Sequence, residues 1–178
     1  MKPSQLYIGT LNGVVACFDQ YSSSNVSGYF YHSYCPSGTR FETLEQLLFC
    51  MEELYNKLQF PYPATNERLF QSQDRADAAD GPEARDKRPK KRIKIMKDEE
   101  LLLKHGDMGS FIIRVQHRQN SSWQGRLTWV EKDQTVNFRS VWELIKLIDS
   151  ALNTTSRPEG SNPDPAWQIS EDAAEKEA

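Results

Sequence analysis

Two stretches of the chain share one pattern of apolar and polar positions, and a shift of 97 residues brings them into register. Gly28 then falls on Gly125, and six apolar residues of the first stretch fall on six of the second without a gap. They are Leu44, Leu47, Leu48, Met51, Leu54 and Tyr55, which match Val141, Leu144, Ile145, Ile148, Ala151 and Leu152. Within both stretches apolar residues recur at i, i+3, i+4 and i+7, which is typical of an amphipathic helix with one buried stripe. The pattern predicts an internal duplication with one helix in each copy.

The start of each predicted helix carries a capping box. Thr43 and Ser140 are suited to accept a hydrogen bond from a free backbone N–H group of the first turn. Gln46 and Glu143, three residues later, are suited to return a hydrogen bond to the cap. The predicted helices are residues 43–58 and 140–152.

Upstream of each helix the apolar period changes from 3.6 to 2, which indicates strands. In each copy we expect two strands rich in β-branched and aromatic residues, and a short third strand that ends at Phe41 or Phe138. Residues 6–8 are expected to add a strand, and residues 98–104 one or two helical turns. The longer predicted strands are residues 14–18, 29–34, 111–115 and 126–130.

Each copy has only about 45 residues, too few to bury a substantial core alone. We therefore predict an α+β fold in which the two ββ(β)α units pack on one another. The expected arrangement is an antiparallel sheet with two helices on one face, a partly open second face and pseudo-two-fold symmetry. The alternative is that each unit pairs with its counterpart in a second chain.

Composition divides the chain into four segments. Residues 1–62 hold the first unit and residues 110–153 hold the second. Between them, residues 63–109 are predicted to be a charged, largely disordered linker, in which seven of the eleven residues 87–97 are basic and none is acidic. Residues 154–178 are predicted to be an acidic, disordered tail.

Bulk composition narrows the class of protein. Apolar residues make up 38% of the chain and the mean hydropathy is -0.70, so a core is expected beside long polar stretches. Three cysteines form no Cys-x-x-Cys pair and leave one unpaired, which favours reduced thiols and a cytoplasmic location. We expect neither a signal peptide nor a membrane partner, because no stretch approaches the roughly 20 apolar residues that span a bilayer.

The sequence offers little support for catalysis. His32, His105 and His117 are scattered, with no cysteine or carboxylate at metal-ligand spacing. There is no glycine-rich phosphate loop and no Gly-x-Ser-x-Gly elbow. We therefore expect no enzyme activity, no cofactor and no metal.

The second strands carry more aromatic residues than a helix-covered face needs. If Phe30 and Leu127 point into the core, the other aromatics are expected on the open face, where they suit an interface or base stacking. Structural filling of a small sheet is the alternative. The candidate interaction residues are Tyr29, Tyr31, Trp123, Trp129, Arg114, Arg118 and Arg126.

The basic run supports a second hypothesis, because it can neutralise several phosphates of a nucleic acid. The alternative is a solubilising linker that pairs with the acidic tail. The folded units themselves are nearly balanced in charge, which argues against strong nucleic-acid binding. The candidate contacts, which would act with the strand arginines, are Lys87, Arg88, Lys90, Lys91, Arg92, Lys94 and Lys97.

One motif resembles a nucleotide-binding family. The strings RVQHR at 114–118 and NSSWQG at 120–125 are similar to elements of PilZ domains, whose arginines bind cyclic di-GMP. In that family a couple of dozen residues separate the two elements, whereas here they almost touch. Arg114 and Arg118 are four residues apart in a predicted strand and are expected to share a solvated face, which we favour over nucleotide binding.

The second unit is similar to a set of short uncharacterised proteins of Gram-positive gut bacteria. Residues 120–125 and 137–140 carry the resemblance, which covers about a quarter of the chain. That group has no assigned activity, so the resemblance implies a bacterial cytosolic setting and nothing more.

Together these patterns lead to two functional hypotheses. The first is a non-catalytic protein-interaction or regulatory module that binds another protein or a second copy of itself. The alternative is a nucleic-acid-binding accessory factor that uses the basic linker and the strand arginines.

Overall fold

The two predicted halves join in one six-stranded antiparallel sheet. The structure is a computed structural model that describes residue 6 and residues 8–22, 25–64, 92–120 and 122–156, with side chains up to residue 153. Its strands are β1 (Val14–Tyr21), β2 (Val26–His32), β3 (Thr39–Phe41), β4 (Gly109–Gln119), β5 (Ser122–Trp129) and β6 (Gln134–Phe138). Their order is β3-β2-β1-β4-β5-β6, so β1 and β4 form the central pair between two three-stranded meanders.

The two predicted helices lie on one face of this sheet. They are α1 (Leu44–Leu58) and α3 (Val141–Ser156), so the second helix runs four residues past its predicted end at residue 152. A short third helix, α2 (Asp98–Leu102), lies on the opposite face and confirms the helical turn predicted near residues 98–104. The α+β class and the antiparallel sheet are therefore confirmed.

Local hydrogen bonds explain where the long helices begin. The side-chain oxygen of Thr43 accepts the Gln46 N–H at 3.2 Å, and that of Ser140 accepts the Glu143 N–H at 3.1 Å. The side chains of Gln46 and Glu143 each accept a 2.7 Å hydrogen bond, not from the cap residue itself but from the backbone N–H of the residue before it. At the other end of α1, Gln59 adopts a left-handed conformation (φ 51°), which closes the helix.

One apolar core lies between the sheet and the two long helices. Phe18 of the first half makes edge-on ring contacts with Phe41 and with Phe111 of the second half. The ring centroids lie 5.2 Å and 5.7 Å apart, respectively. Leu47 of α1 and Leu144 of α3 are each 1% exposed in the same cluster. The two halves therefore share a core, as their small size predicts.

The two glycines matched by the sequence shift occupy corresponding places in the sheet. Gly28 pairs with Phe41, and Gly125 pairs with Phe138. A Cβ atom at either glycine would lie 2.0–2.1 Å from a backbone oxygen of the neighbouring strand. Only glycine allows this close approach, which explains its presence at both positions.

The sheet face opposite α1 and α3, here called the second face, is covered at its centre. Ile8, Met96 and Leu101 pack there against Val15 and Ile112, all at most 6% exposed. The expectation of an open face therefore applies only to the outer strands.

Some predicted elements differ from the structure or lie outside it. Leu6 and Ile8 belong to no strand, and Tyr7 lies outside the described residues. The second strand of the first half covers Val26–His32, not residues 29–34. The predicted disorder of linker and tail concerns mainly residues 65–91 and 157–178, which also lie outside the described part of the chain.

Candidate functional site

Three polar side chains form a row across β4, β5 and β6 on the second face. Arg114 of β4 lies directly opposite Arg126 of β5, which lies directly opposite Asn137 of β6. We call Arg114, Arg126 and Asn137 the arginine row. Arg126 and Asn137 are exposed and Arg114 is half-buried, because its guanidinium lies over β5 and donates a 3.2 Å hydrogen bond to Thr128.

The register of the arginine row has an electrostatic consequence. Directly opposite residues on antiparallel strands have Cβ atoms about 4.5–5.5 Å apart, and like charges there destabilise the sheet. An anion bound between Arg114 and Arg126 would remove that repulsion and receive hydrogen bonds from two guanidinium groups. The exposed amide of Asn137 adds donor and acceptor capacity at the end of the row.

The corresponding row of the first half has different chemistry. Cys17, Tyr29 and Arg40 lie opposite one another across β1, β2 and β3. Burial raises the pKa of the Cys17 thiol to about 12, so this thiol stays protonated and unreactive near neutral pH. Tyr29 is 36% exposed and its ring lies 6.1 Å from that of Tyr31, so both tyrosines occupy the second face as expected.

Trp123 and Trp129 lie on the helix-covered face, which corrects the expectation that they enrich the open face. They alternate in step with Leu127 along β5, so the strand period of 2 directs all three to the same side. Trp123 is 7% exposed, and the Trp129 ring stacks on Phe111 at 6.3 Å. These two residues therefore fill the core.

Arg118 also leaves the predicted solvated face. The register of β4 against β5 shifts between Val115 and His117, and this bulge turns the later residues of β4 to the other side. Arg118 consequently faces the helix side and is 4% exposed, whereas Arg114 faces the second face. The two arginines do not act together.

The buried Arg118 joins the second half to α1 of the first. Its guanidinium donates to Glu52 at 2.6 Å and to Asn56 at 2.7 Å, and its Nε donates to the Pro61 carbonyl at 2.7 Å. The Trp123 indole N–H donates to the second Glu52 oxygen at 2.9 Å. We call this group the buried corner.

The sequence patterns did not single out Glu52 and Asn56, although the shift of 97 residues offered a signal. The shift of 97 residues places Glu52 on Asp149 and Asn56 on Asn153, so both helices carry an acid and an amide four residues apart. On the second helix the Asn153 side chain donates to Asp149 at 2.9 Å. A matched polar pair beside a buried stripe was therefore visible before the fold was known.

A cleft of about 310 Å³ in the first half is lined by groups with catalytic potential: His32, Cys35 and Cys50. Burial lowers the pKa of His32 and raises that of Cys50. Both groups are therefore neutral near pH 7, so Cys50 does not supply the thiolate that nucleophilic catalysis needs. Within the described ranges, no three histidine, cysteine or acidic side chains are grouped as metal ligands.

The described part of the predicted basic run is short. Arg92, Lys94 and Lys97 are exposed, and the Lys94 ammonium contacts the Asp98 carboxylate at 2.9 Å. The other candidate contacts of that run lie outside the described residues: Lys87, Arg88, Lys90 and Lys91.

None of the helices in the described part of the chain is both long and apolar enough to span a bilayer. Comparison with protein-family models, with curated proteins and with solved structures gives no match for this chain.

Proposed function

We propose that this protein is a non-catalytic interaction module that binds an acidic segment of a partner protein through the arginine row. The observation that carries the proposal is the direct cross-strand position of Arg114 and Arg126, with Asn137 beside them. Two guanidinium groups on neighbouring strands of a sheet suit carboxylates, because each presents a planar set of N–H donors.

We further propose that the fold arose by duplication of a ββ(β)α unit, with the two copies related by a pseudo-two-fold axis. The central strands support this: Val15 and Ile112, which the shift of 97 residues matches, lie opposite each other in the β1–β4 pair. Equivalent glycine pairs and equivalent helix caps add to the support. The duplicated scaffold would then carry a binding row on one copy only.

The remaining observations favour a protein over a nucleic acid as the partner. A nucleic-acid surface would use strand arginines with aromatic residues for stacking. Arg118 is committed to Glu52, while Trp123 and Trp129 belong to the helix-covered core.

The proposal can be tested by fluorescence anisotropy with the full-length protein and a labelled peptide of about ten alternating glutamates and serines. We expect saturable binding at about 50 mM salt that weakens as salt is added. Arg126→Gln should weaken it about tenfold or more, because a hydrogen bond to a charged group contributes about 1.5–3 kcal/mol. Arg40→Gln, at an exposed arginine of the first half, is the matched control and should change binding less than about twofold.

Three outcomes would overturn the proposal. The first is that the peptide does not bind at low salt. The second is that the Arg126 and Arg40 variants weaken binding equally. The third is that an oligothymidylate of about ten nucleotides binds more tightly than the peptide, and Arg126→Gln weakens that binding. Phosphate contacts are strongest at low salt, so this result would replace the acidic protein partner with a nucleic acid.

A further inference from the structure

The outer edge of β6 is a second exposed feature, which shares only Asn137 with the arginine row. β6 is the last strand of the sheet, and within the described residues no strand pairs with its outer side. Its first four residues, Gln134–Asn137, are all exposed, and Gln134–Phe138 contains no charge, proline or glycine. Exposed edge strands are templates for pairing with another chain unless such residues block them.

At the opposite edge of the sheet, a charged residue blocks pairing with another strand, and β6 has no such residue. β3 has only three residues, with the exposed Arg40 at its centre. If two copies of β3 paired antiparallel about that centre, Arg40 would face its own counterpart, and like charges directly opposite are unfavourable. The shift of 97 residues places Asn137 where β3 has Arg40, so the second edge lacks this protection.

The β6 edge is complementary to itself. In an antiparallel pair of two β6 strands centred on Val136, Thr135 of each copy lies opposite Asn137 of the other. Asp133 adopts a left-handed backbone (φ 49°) in the turn before the strand, and Arg139 follows the strand and contacts Glu143 of its own chain. Pairing about Val136 brings the acidic Asp133 of one copy near the basic Arg139 of the other, and symmetry repeats this arrangement at both ends. Uncharged residues at the centre with opposite charges at the ends specify both the partner and the register.

We propose that a second copy of this chain pairs with the β6 edge and extends the sheet across a two-fold axis. The contact is isologous, since the same surface is used by both copies. A single pair of strands buries less than the roughly 1,200 Å² of a standard specific interface, so the dimer is weak and reversible. Half-dissociation is expected at micromolar protein concentrations.

Sedimentation velocity of the full-length protein from about 1 to 500 μM tests this inference across that affinity range. The apparent mass should rise with concentration from 20.5 kDa toward twice that value. Val136→Lys places two positive charges at the centre of the edge and should weaken association about tenfold or more. Thr39→Lys makes the same change at the matched position of β3 and should leave association unchanged.

A charge swap tests the register even if the lysine variant folds poorly. Asp133→Lys and Arg139→Glu should each weaken association, and the protein that carries both changes should recover it because the opposite charges are restored. A mass of 20.5 kDa at every concentration would overturn the inference. Equal effects of the two lysine variants, or a double variant as weak as the single ones, would also overturn it.

The inference does not depend on the arginine row, and the two can fail separately. Arg126→Gln should leave the dimer unchanged, since that side chain lies on the second face and not at the edge of the sheet. Val136→Lys should leave binding of the glutamate–serine peptide unchanged, because Val136 pairs with Leu127 and shares its helix-covered side. If either variant abolished both activities, the β6 edge would not be a separate surface and the inference would fail.

Discussion

Two corners of this molecule join a strand of one half to the helix of the other, and their chemistry differs. At the buried corner, Arg118 near the end of β4 binds Glu52 of α1 at 2.6 Å. At the exposed corner, the hydroxyl of Tyr21, the last residue of β1, donates to Asp149 of α3 at 2.8 Å. The shift of 97 residues maps Tyr21 on Arg118 and Glu52 on Asp149, so the two contacts are equivalent by position.

The difference between the corners follows from what covers them. Trp123 donates to Glu52, and the backbone of Ala64 donates to the Arg118 carbonyl at 2.9 Å, so Arg118 is enclosed from two sides. At the exposed corner Val26 occupies the position equivalent to Trp123, and Asp149 remains in solvent. One contact position therefore holds either a buried ion pair or a solvated hydrogen bond, depending on its neighbours.

The largest loss of stability is expected from substitutions in the core that both corners enclose. Replacing Leu47 or Leu144 by alanine should lower the free energy of unfolding by about 2–5 kcal/mol, because each side chain is 1% exposed. Thermal unfolding followed by circular dichroism should show one cooperative transition for both variants, since β1 pairs with β4.

Leu103→Ala is the matched control, because this leucine is 77% exposed and its loss should change stability by less than about 0.5 kcal/mol. The shared core would be refuted if Leu144→Ala removed the structure of the second half while the first half melted unchanged.

A smaller loss of stability is expected from substitutions at the buried corner. Arg118→Met should cost about 2–4 kcal/mol in urea unfolding, because Glu52 then keeps a charge in a site where it is only 29% exposed. Adding Glu52→Gln should recover part of that cost, since the amide still accepts from Trp123 but carries no charge.

Arg139→Met removes a solvent-exposed ion pair with Glu143, in which the arginine is 88% exposed, and should cost at most about 0.5 kcal/mol. If Arg118→Met proved no more costly than this control, the ion pair would not stabilise the buried corner.

The smallest loss of stability is expected from a substitution at the exposed corner. Tyr21→Phe should cost about 0.5–1 kcal/mol at pH 7, the usual contribution of one hydrogen bond. Burial and the neighbouring Asp149 carboxylate raise the pKa of Tyr21 above its ordinary value near 10. A group with a raised folded pKa stabilises the fold below its unfolded pKa and loses this contribution as pH rises through the folded pKa.

The stability difference between wild type and Tyr21→Phe should therefore be constant from pH 7 to about 9 and shrink above about pH 10. Urea midpoints measured over this range provide the test. A difference that grew at alkaline pH would contradict the proposed hydrogen bond to Asp149.

Both long helices were predictable from the sequence because the signals that specify them are local. A buried stripe and a capping box lie within a few turns of chain, and Thr43 and Ser140 cap their helices where the pattern placed them. The sheet face on which Trp123 and Trp129 lie was also predictable, since the strand alternation groups them with Leu127.

Other features depend on residues far apart in the sequence. The side chain of Arg118 changes face because one bulge in the β4–β5 ladder shifts the alternation, and no local pattern marked that bulge. The partners of Arg118 lie 57 to 66 residues away along the chain, and only the packing of α1 on the sheet brings them together.

The sequence by itself determined the helix starts, the apolar stripes and the two glycines at the outer strand pairs, because each depends on short-range geometry. Tertiary structure decided that β1 pairs with β4, that Arg114 and Arg126 lie side by side, and that Arg118 is buried. These results depend on register, and shifting a strand by one residue reverses the face of every side chain that follows.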